Sequence, residues 1–269
     1  IPANLLNKFD IDFYAFDLRG FGRDVNRGIW FDKTLHIKDV HEFYSLIQKE
    51  NPKKKIFILG ESMGGAIVVS LLRKEKINIS GLILVAPAIW DFKKQHFFLS
   101  KCLSFFATLF PNLSLSGKRF LSVIPSDNVK MLKEFSSDPN VIRKSTLSSL
   151  NGVVDLMNDA YKDFSILFKN PKTKTLLILP IRDYIVPRTP LLKILESKLV
   201  KKNIHSNNIC IGVFEQNYHM ILRDIDGDRV TRELKEWIIN NNVCNYLTSF
   251  SNPIYRILSS KNYHLLDKN

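Results

Sequence analysis

The sequence predicts an α/β fold: a mostly parallel sheet flanked by helices, with a helical block inserted between two strands. Three observations predict it. Short, wholly apolar runs alternate with segments of helical period, the pattern of strands joined by helical crossovers. One such run passes straight into Gly60-Glu61-Ser62-Met63-Gly64-Gly65, and a helix leaves that turn. Residues 89–172 then break the alternation, being rich in Phe, Leu, Ser and Lys with no evident strand.

Each element has its own justification. Residues 12–16 read as a short strand. Residues 34–50 read as a helix, because Leu35, Ile37, Val40, Phe43, Leu46 and Ile47 fall roughly on one face. Residues 56–59 and 82–86 are continuous apolar runs, as expected of parallel strands covered on both faces, and Pro87 closes the second. The helix between them spans 64–74. Beyond the helical block come a strand at 175–179, a helix at 191–199, a strand at 208–214 and a helix at 229–240. The expected domains are a core of 1–88 and 173–240, a helical cap of 89–172 and a tail of 241–269. In the tail, Tyr246, Leu247, Phe250, Ile254, Tyr255 and Leu258 would suit one more amphipathic element.

Composition narrows the function classes. The 269 residues are 45% hydrophobic and 24% charged, which excludes a disordered, collagen-like or disulfide-dense chain. Lys+Arg total 39 against Asp+Glu 26, a formal charge of +13. The lysines are scattered, with short clusters such as Lys53-Lys54-Lys55 and Lys201-Lys202 and no Arg-rich stripe. The expectation is therefore no nucleic-acid partner, and at most mild attraction to an anionic lipid surface. Cys102, Cys210 and Cys244 are widely spaced, with neither a metal pattern nor a disulfide framework. A reducing, cytoplasmic setting is the default. No secretory signal is visible in residues 1–10. The most apolar segment, 97–115, is interrupted by Lys101 and Pro111 and falls short of a membrane span.

The G-x-S-x-G string at 60–64 is common by itself, and a Gly-rich turn with Ser62 as a helix cap would explain it. Its context, strand before and helix after, is what a nucleophile elbow requires. In such a turn the serine takes strained dihedrals that lift its hydroxyl above the strand ends. Gly60 and Gly64 are expected there because a Cβ would strike the neighbouring chain. The Met63 N–H then points to where an oxyanion would form.

A serine needs a base. Of the six histidines, His36 and His41 lie in the helix before the elbow, His96 in the insertion, His205 in a polar loop and His264 in the tail. His219 follows the last strand after a short loop, on the rim where the elbow serine sits. The base needs an acid to fix its tautomer. Asp183 lies just past the strand 175–179, and the order Ser62, Asp183, His219 is the one such a fold uses. Glu215, Asp224 and Asp226 are rivals, although Glu215 shares the histidine's own loop and a capping role before the last helix suffices for Asp224.

With these residues assembled, the chain resembles the α/β-hydrolase superfamily, in particular its lysophospholipase and monoacylglycerol-lipase-like branch. Asp17-Leu18-Arg19-Gly20-Phe21-Gly22 resembles that branch's D-x-R-G-x-G loop, although Asp24 stands where a serine is usual. Gly60-Glu61-Ser62-Met63-Gly64-Gly65 resembles its elbow, Asp183-Tyr184-Ile185-Val186-Pro187 its acid loop, and His219-Met220-Ile221-Leu222-Arg223-Asp224 its histidine segment. The resemblance implies a cap over the catalytic rim. It also implies a further strand and a His-Gly-type loop, supplying a second oxyanion N–H, before residue 12. The few residues there do not carry them, so the expectation is an N-terminally truncated chain lacking its first strands. Phe97, Phe98, Leu103, Phe105, Phe106, Leu109 and Phe110 make the cap aromatic-rich. At least half of them are expected to pack on the main domain, the rest to line an apolar tunnel or touch a lipid surface.

The implied activity is that of a serine hydrolase cleaving carboxylic esters of small lipid-like substrates through an acyl-enzyme, without metal or other cofactor. Ser62 would be the nucleophile, His219 the base, Asp183 its orienter and Met63 the oxyanion donor. The rivals are a catalytically silent fragment and a peptidase or thioesterase on the same fold. Peripheral membrane contact through the cap is a further expectation, and the sequence gives no oligomeric state.

Overall fold

The computed structural model describes residues 2–116, 123–206 and 208–240. The tail of 241–269, with its expected amphipathic element, lies outside them. In chain order, α1 (Pro2–Leu6) and a 3-10 turn precede α2 (Lys33–Glu50), whose Asp32 N-cap accepts from the Thr34 N–H. Then follow β1 (Phe57–Glu61), α3 (Met63–Lys74) and β2 (Gly81–Val85). The block of 89–172 contributes α4 (Phe92–Gln95), α5 (Phe97–Leu109), β3 (Ser114–Ser116), α6 (Val129–Ser137), β4 (Lys144–Thr146) and α7 (Leu147–Lys169). The chain closes with β5 (Thr175–Arg182), α8 (Thr189–Leu195), α9 (Lys198–His205), β6 (Ile209–Tyr218), a 3-10 turn and α10 (Gly227–Ile239).

The main sheet has the order β1-β2-β5-β6 and is parallel throughout. Its apolar runs are continuous because both faces are covered. Leu82 and Leu84 of β2, Leu177 of β5 and Ile209, Ile211 and Val213 of β6 pack with α3, α7 and α8. The alternate residues Ile83, Val85, Leu176, Ile178, Cys210 and Phe214 pack with Leu6 and with Val230, Leu234 and Trp237 of α10. β5 runs on through Pro180 to Arg182, where only β6 still pairs with it, so the missing proline N–H leaves no partner unpaired.

Several expectations change. Residues 11–18 form no strand, because no backbone among the described residues pairs with them. Side chains hold them instead. Asp12 pairs with Lys54 at 2.7 Å, and the Phe16 ring lies 4.4 Å from that of Phe43. The helix expected at 191–199 is two helices, interrupted where Ser197 adopts extended dihedrals ahead of α9. The block of 89–172 is not purely helical, since β3 and β4 pair antiparallel. At three residues each they are too short to show a period of two. Cys210 is disulfide-bonded, which the cysteine spacing did not announce, and Cys102 is free and exposed.

The aromatic stretch differs most from expectation. Of the seven side chains singled out there, only Leu103 is partly buried against the core; the others are exposed, Phe98 to 83%. Helix α5 docks through Ser100, Leu103 and Ala107, a stripe of period i, i+3, i+7 that leaves the phenylalanines outside. No helix among the described residues is long and apolar enough to cross a membrane.

Candidate active site

The turn after β1 carries Ser62 at φ 52° and ψ −118°, a conformation that a residue with a Cβ rarely adopts. Backbone bonds hold it there. The Ser62 N–H donates to the Val85 carbonyl at 3.0 Å, and its own carbonyl accepts from the Ala88 N–H at 2.9 Å. The turn closes because Gly60 has no side chain: a Cβ there would lie 2.7 Å from the Gly64 carbonyl oxygen and the Gly65 Cα. Gly64 does not share that constraint, contrary to expectation, since a Cβ built on it faces open space. The second crowded position is Gly65, where a Cβ would come within 2.8 Å of Pro87 Cβ. Met63 is the first residue of α3, so its N–H has no acceptor within the helix and stands beside the serine.

His219 and Asp183 reach the same rim because each directly follows the end of a neighbouring strand, Tyr218 of β6 and Arg182 of β5. His219 Nε2 lies 2.9 Å from Ser62 Oγ, and His219 Nδ1 lies 2.8 Å from Asp183 Oδ2. The other carboxylate oxygen of Asp183 accepts the backbone N–H of Ile185 at 2.8 Å and of Val186 at 3.0 Å. Both His219 and Asp183 are buried, whereas Ser62 is only half-buried and open to a reactant. Burial pulls the His219 pKa down. The charge and hydrogen bond of Asp183, with the Glu61 charge beside them, outweigh it and hold the imidazole above its ordinary range.

The structure thus brings together Ser62, Asp183 and His219, with Met63 and Gly60 shaping the turn. The rivals lie elsewhere. Glu215 is exposed on β6, which is longer than expected, and Asp226 is the N-cap residue of α10 and pairs with Arg229. Asp224 does not cap α10 with its side chain; it accepts from the Tyr218 N–H and the Ser126 hydroxyl. His36 is buried against Trp30, His41 sits on α2, and the His96 ring lies tilted against Phe92; His264 lies outside the described residues.

Sequence reasoning missed Glu61, which looked like the variable position of the motif. Burial pushes its carboxyl up, against the pull of Arg223 and His219. The signal was an acid directly before the nucleophile, in a strand otherwise apolar. A groove of about 600 Å³ lies between residues 16–24 and α2, lined by Phe16, Arg19, Asp39, Phe43 and Leu46. It contains none of the three hydrogen-bonded residues. Among the described residues no group of three or more His, Cys, Asp or Glu is placed to hold a metal ion.

A family model described as "Serine aminopeptidase, S33" (Hydrolase_4) matches residues 2–226 of the chain. The chain belongs to this family. The monoglyceride lipase of Mus musculus is 25% identical over 246 residues, covering 88% of this chain and 76% of that protein. The monoacylglycerol lipase of Mycolicibacterium smegmatis is 22% identical over 236 residues, covering 85% and 78%. Among solved structures, the monoacylglycerol lipase of Paleococcus ferrophilus superposes with a TM-score of 0.69 at 24% identity, over 89% of this chain and 88% of that one. The fold of this family member is accordingly that of an α/β-hydrolase, the architecture the elbow motif implied.

Proposed function

We propose that this chain is a serine hydrolase of carboxylic esters with lipid-like acyl groups. The observation that carries the reading is the unbroken chain Ser62 Oγ, His219 Nε2, His219 Nδ1, Asp183 Oδ2, at 2.9 and 2.8 Å, on a strained elbow. In the proposed reaction His219 Nε2 takes the Ser62 proton as Oγ attacks the ester carbonyl. The oxyanion forms beside the Met63 N–H, a contact of a kind worth on the order of 100- to 1000-fold in turnover. His219 then passes its proton to the leaving alcohol. Water, deprotonated by the same imidazole, releases the acid from the acyl-enzyme.

The names of the relatives favour an ester substrate, and the description of the family model favours a peptidase as second reading. We assign the leaving group to the alcohol class and the cap role to residues 89–172. We further propose that α5 meets the lipid surface on which such substrates reside. Its exposed Phe97, Phe98, Phe105 and Phe106 provide an apolar face, and Lys101 within the helix and Lys94 just before it are suited to anionic headgroups.

A fluorophosphonate probe tests the chemistry. Labelling of the 269-residue chain that is abolished in Ser62→Ala supports the reading, and absence of labelling in the parent chain overturns it. A panel of monoacylglycerol, lysophospholipid, thioester and aminoacyl-anilide substrates tests the class. Preference for the first two is expected, and preference for anilides would transfer the assignment to the peptidase.

A further inference from the structure

His219 is held on both sides by groups that the catalytic chain does not include. On its N-terminal side, the Tyr218 N–H donates to Asp224 Oδ2 at 2.8 Å. On its C-terminal side, the Met220 N–H donates to the carbonyl of Pro125 at 2.9 Å. Pro125 belongs to the inserted block, some ninety residues away along the chain. The segment it opens, residues 125–128, is tied to the histidine loop at several more points. The Ser126 hydroxyl donates to Asp224 Oδ1 at 2.7 Å, and the Asn128 side-chain amide donates to the Arg223 carbonyl at 3.0 Å. The Ile225 N–H donates to Asp127 Oδ1 at 2.9 Å.

The centre of this clasp is dry. Ser126 is 1% exposed, Asp224 4% and Asn217 1%. The Asp224 carboxylate is a junction, accepting from Tyr218 N–H, the Asn217 amide at 3.1 Å and the Ser126 hydroxyl. One face of it fixes the peptide just before the base, and the other is fixed by the inserted block. Buried carboxylates with charge-assisted bonds are costly to leave unpaired, so such a junction resists partial opening. Asp183 orients the imidazole ring, and Arg182 before it pairs in register with Tyr218; the clasp adds a second hold on the backbone that carries the histidine.

We propose that Asp224 and Ser126 are positioning residues for His219: through them the segment 125–128 of the inserted block sets where the catalytic base stands. The inference rests on the assignment of His219 as base. It goes beyond it in making the inserted block part of the machinery that aligns the base, in addition to any covering role. The geometry of Ser62, His219 and Asp183 should then depend on residues that touch neither substrate nor ring.

The test follows the Nδ1 proton of His219 by NMR in the whole chain, a readout that needs no turnover. Variants are Ser126→Ala, which removes one hydroxyl, and Asp224→Asn, which removes the junction's charge. Expected is solvent exchange of the Nδ1 proton about tenfold faster or more in both variants, with exchange of core amides such as Leu84 unchanged. Fluorophosphonate labelling of Ser62 should slow alongside, about threefold in Ser126→Ala and about tenfold or more in Asp224→Asn, as for a misplaced base. Both substitutions weaken contacts of the same side chain, so the effect in the double variant should fall short of the product of the two single effects. Nδ1 exchange within twofold of the parent in Ser126→Ala would overturn the proposal. Equal acceleration of Leu84 would also overturn it, since the clasp would then serve stability alone. A parent chain that shows the protected Nδ1 proton but no labelling would overturn the proposed chemistry and leave the clasp to be decided by exchange.

Discussion

Strand β2 and helix α5 are both rich in large apolar residues, and they end in opposite environments. Every residue of Gly81–Val85 is buried, while in Phe97–Leu109 only Ser100 and Ala107 are. Apolarity therefore does not decide burial here; available partners do. A strand in mid-sheet has neighbours on both edges and both faces, so each side chain finds one. Among the described elements helix α5 meets chiefly α7, and it docks through the one stripe of Ser100, Leu103 and Ala107. The phenylalanines are left outside because a one-sided helix has no second surface to offer them. Large apolar side chains left in one contiguous patch mark an interaction site more often than a defect.

The contrast can be broken at its buried end. Leu84 is fully buried in β2, paired in register with Gly60 and Leu177. Leu84→Ala should cost about 2–5 kcal/mol of stability, read as a lower urea midpoint, because close-packed neighbours cannot collapse into the void. A loss under about 1 kcal/mol would mean that the sheet centre is loosely packed.

His36 sharpens the same contrast from within the buried set. It is fully buried, its ring lies 4.9 Å from Trp30 and 6.1 Å from Phe21, and neither ring nitrogen has a hydrogen-bond partner. Burial lowers its pKa, with Arg19 adding to the effect and Asp39 and Asp32 opposing it. The folded state thus binds fewer protons than the unfolded one around the ordinary histidine pKa, about 6.5. This contribution to stability is present above that pH and is lost as pH falls through it toward the lower folded value. His36→Phe keeps a ring against Trp30 and removes both the orphan nitrogens and the titration. The expected result is a gain of about 1 kcal/mol at pH 7.5 and a larger one at pH 5.5, measured by urea midpoints. A loss at both pH values would show that the nitrogens have partners in solution.

What the sequence disclosed divides along the same line. The parallel strands and the residues that meet at their ends were legible, because backbone pairing on both sides leaves little choice. Ser62, Asp183 and His219 were found from position just past apolar runs. The outward face of α5 was not found, because counting phenylalanines says nothing about which surface exists to cover them. Residues 12–16 have the composition of a strand but lack a paired neighbour, and no local pattern records that. The clasp of Ser126 on Asp224 was invisible for a related reason: it joins residues 98 apart, and although Asp224 closes the histidine segment, Ser126 lies in no motif that would point to it. Gly64 was misjudged because the motif names it, whereas the close approaches fall on Gly60 and Gly65.

The exposed end of the contrast gives the smallest stability effect and the clearest functional one. Phe98 and Phe105, 83% and 60% exposed, touch too little protein for their loss to matter to folding. Replacing both with serine should shift stability by no more than about 0.5 kcal/mol, as surface substitutions usually do. If α5 meets lipid, each phenylalanine removed forfeits about 1.5–3 kcal/mol of apolar transfer, so partitioning onto vesicles should fall by roughly 100-fold or more for the pair. Vesicles containing phosphatidylserine, sedimented at low and at physiological salt, would read both the apolar and the lysine contributions. Labelling of Ser62 by a small soluble probe should stay unchanged in the same variant, separating access to an interface from chemistry. Unaltered vesicle binding with intact stability would remove α5 from the lipid-facing role, and its phenylalanines would then await another partner.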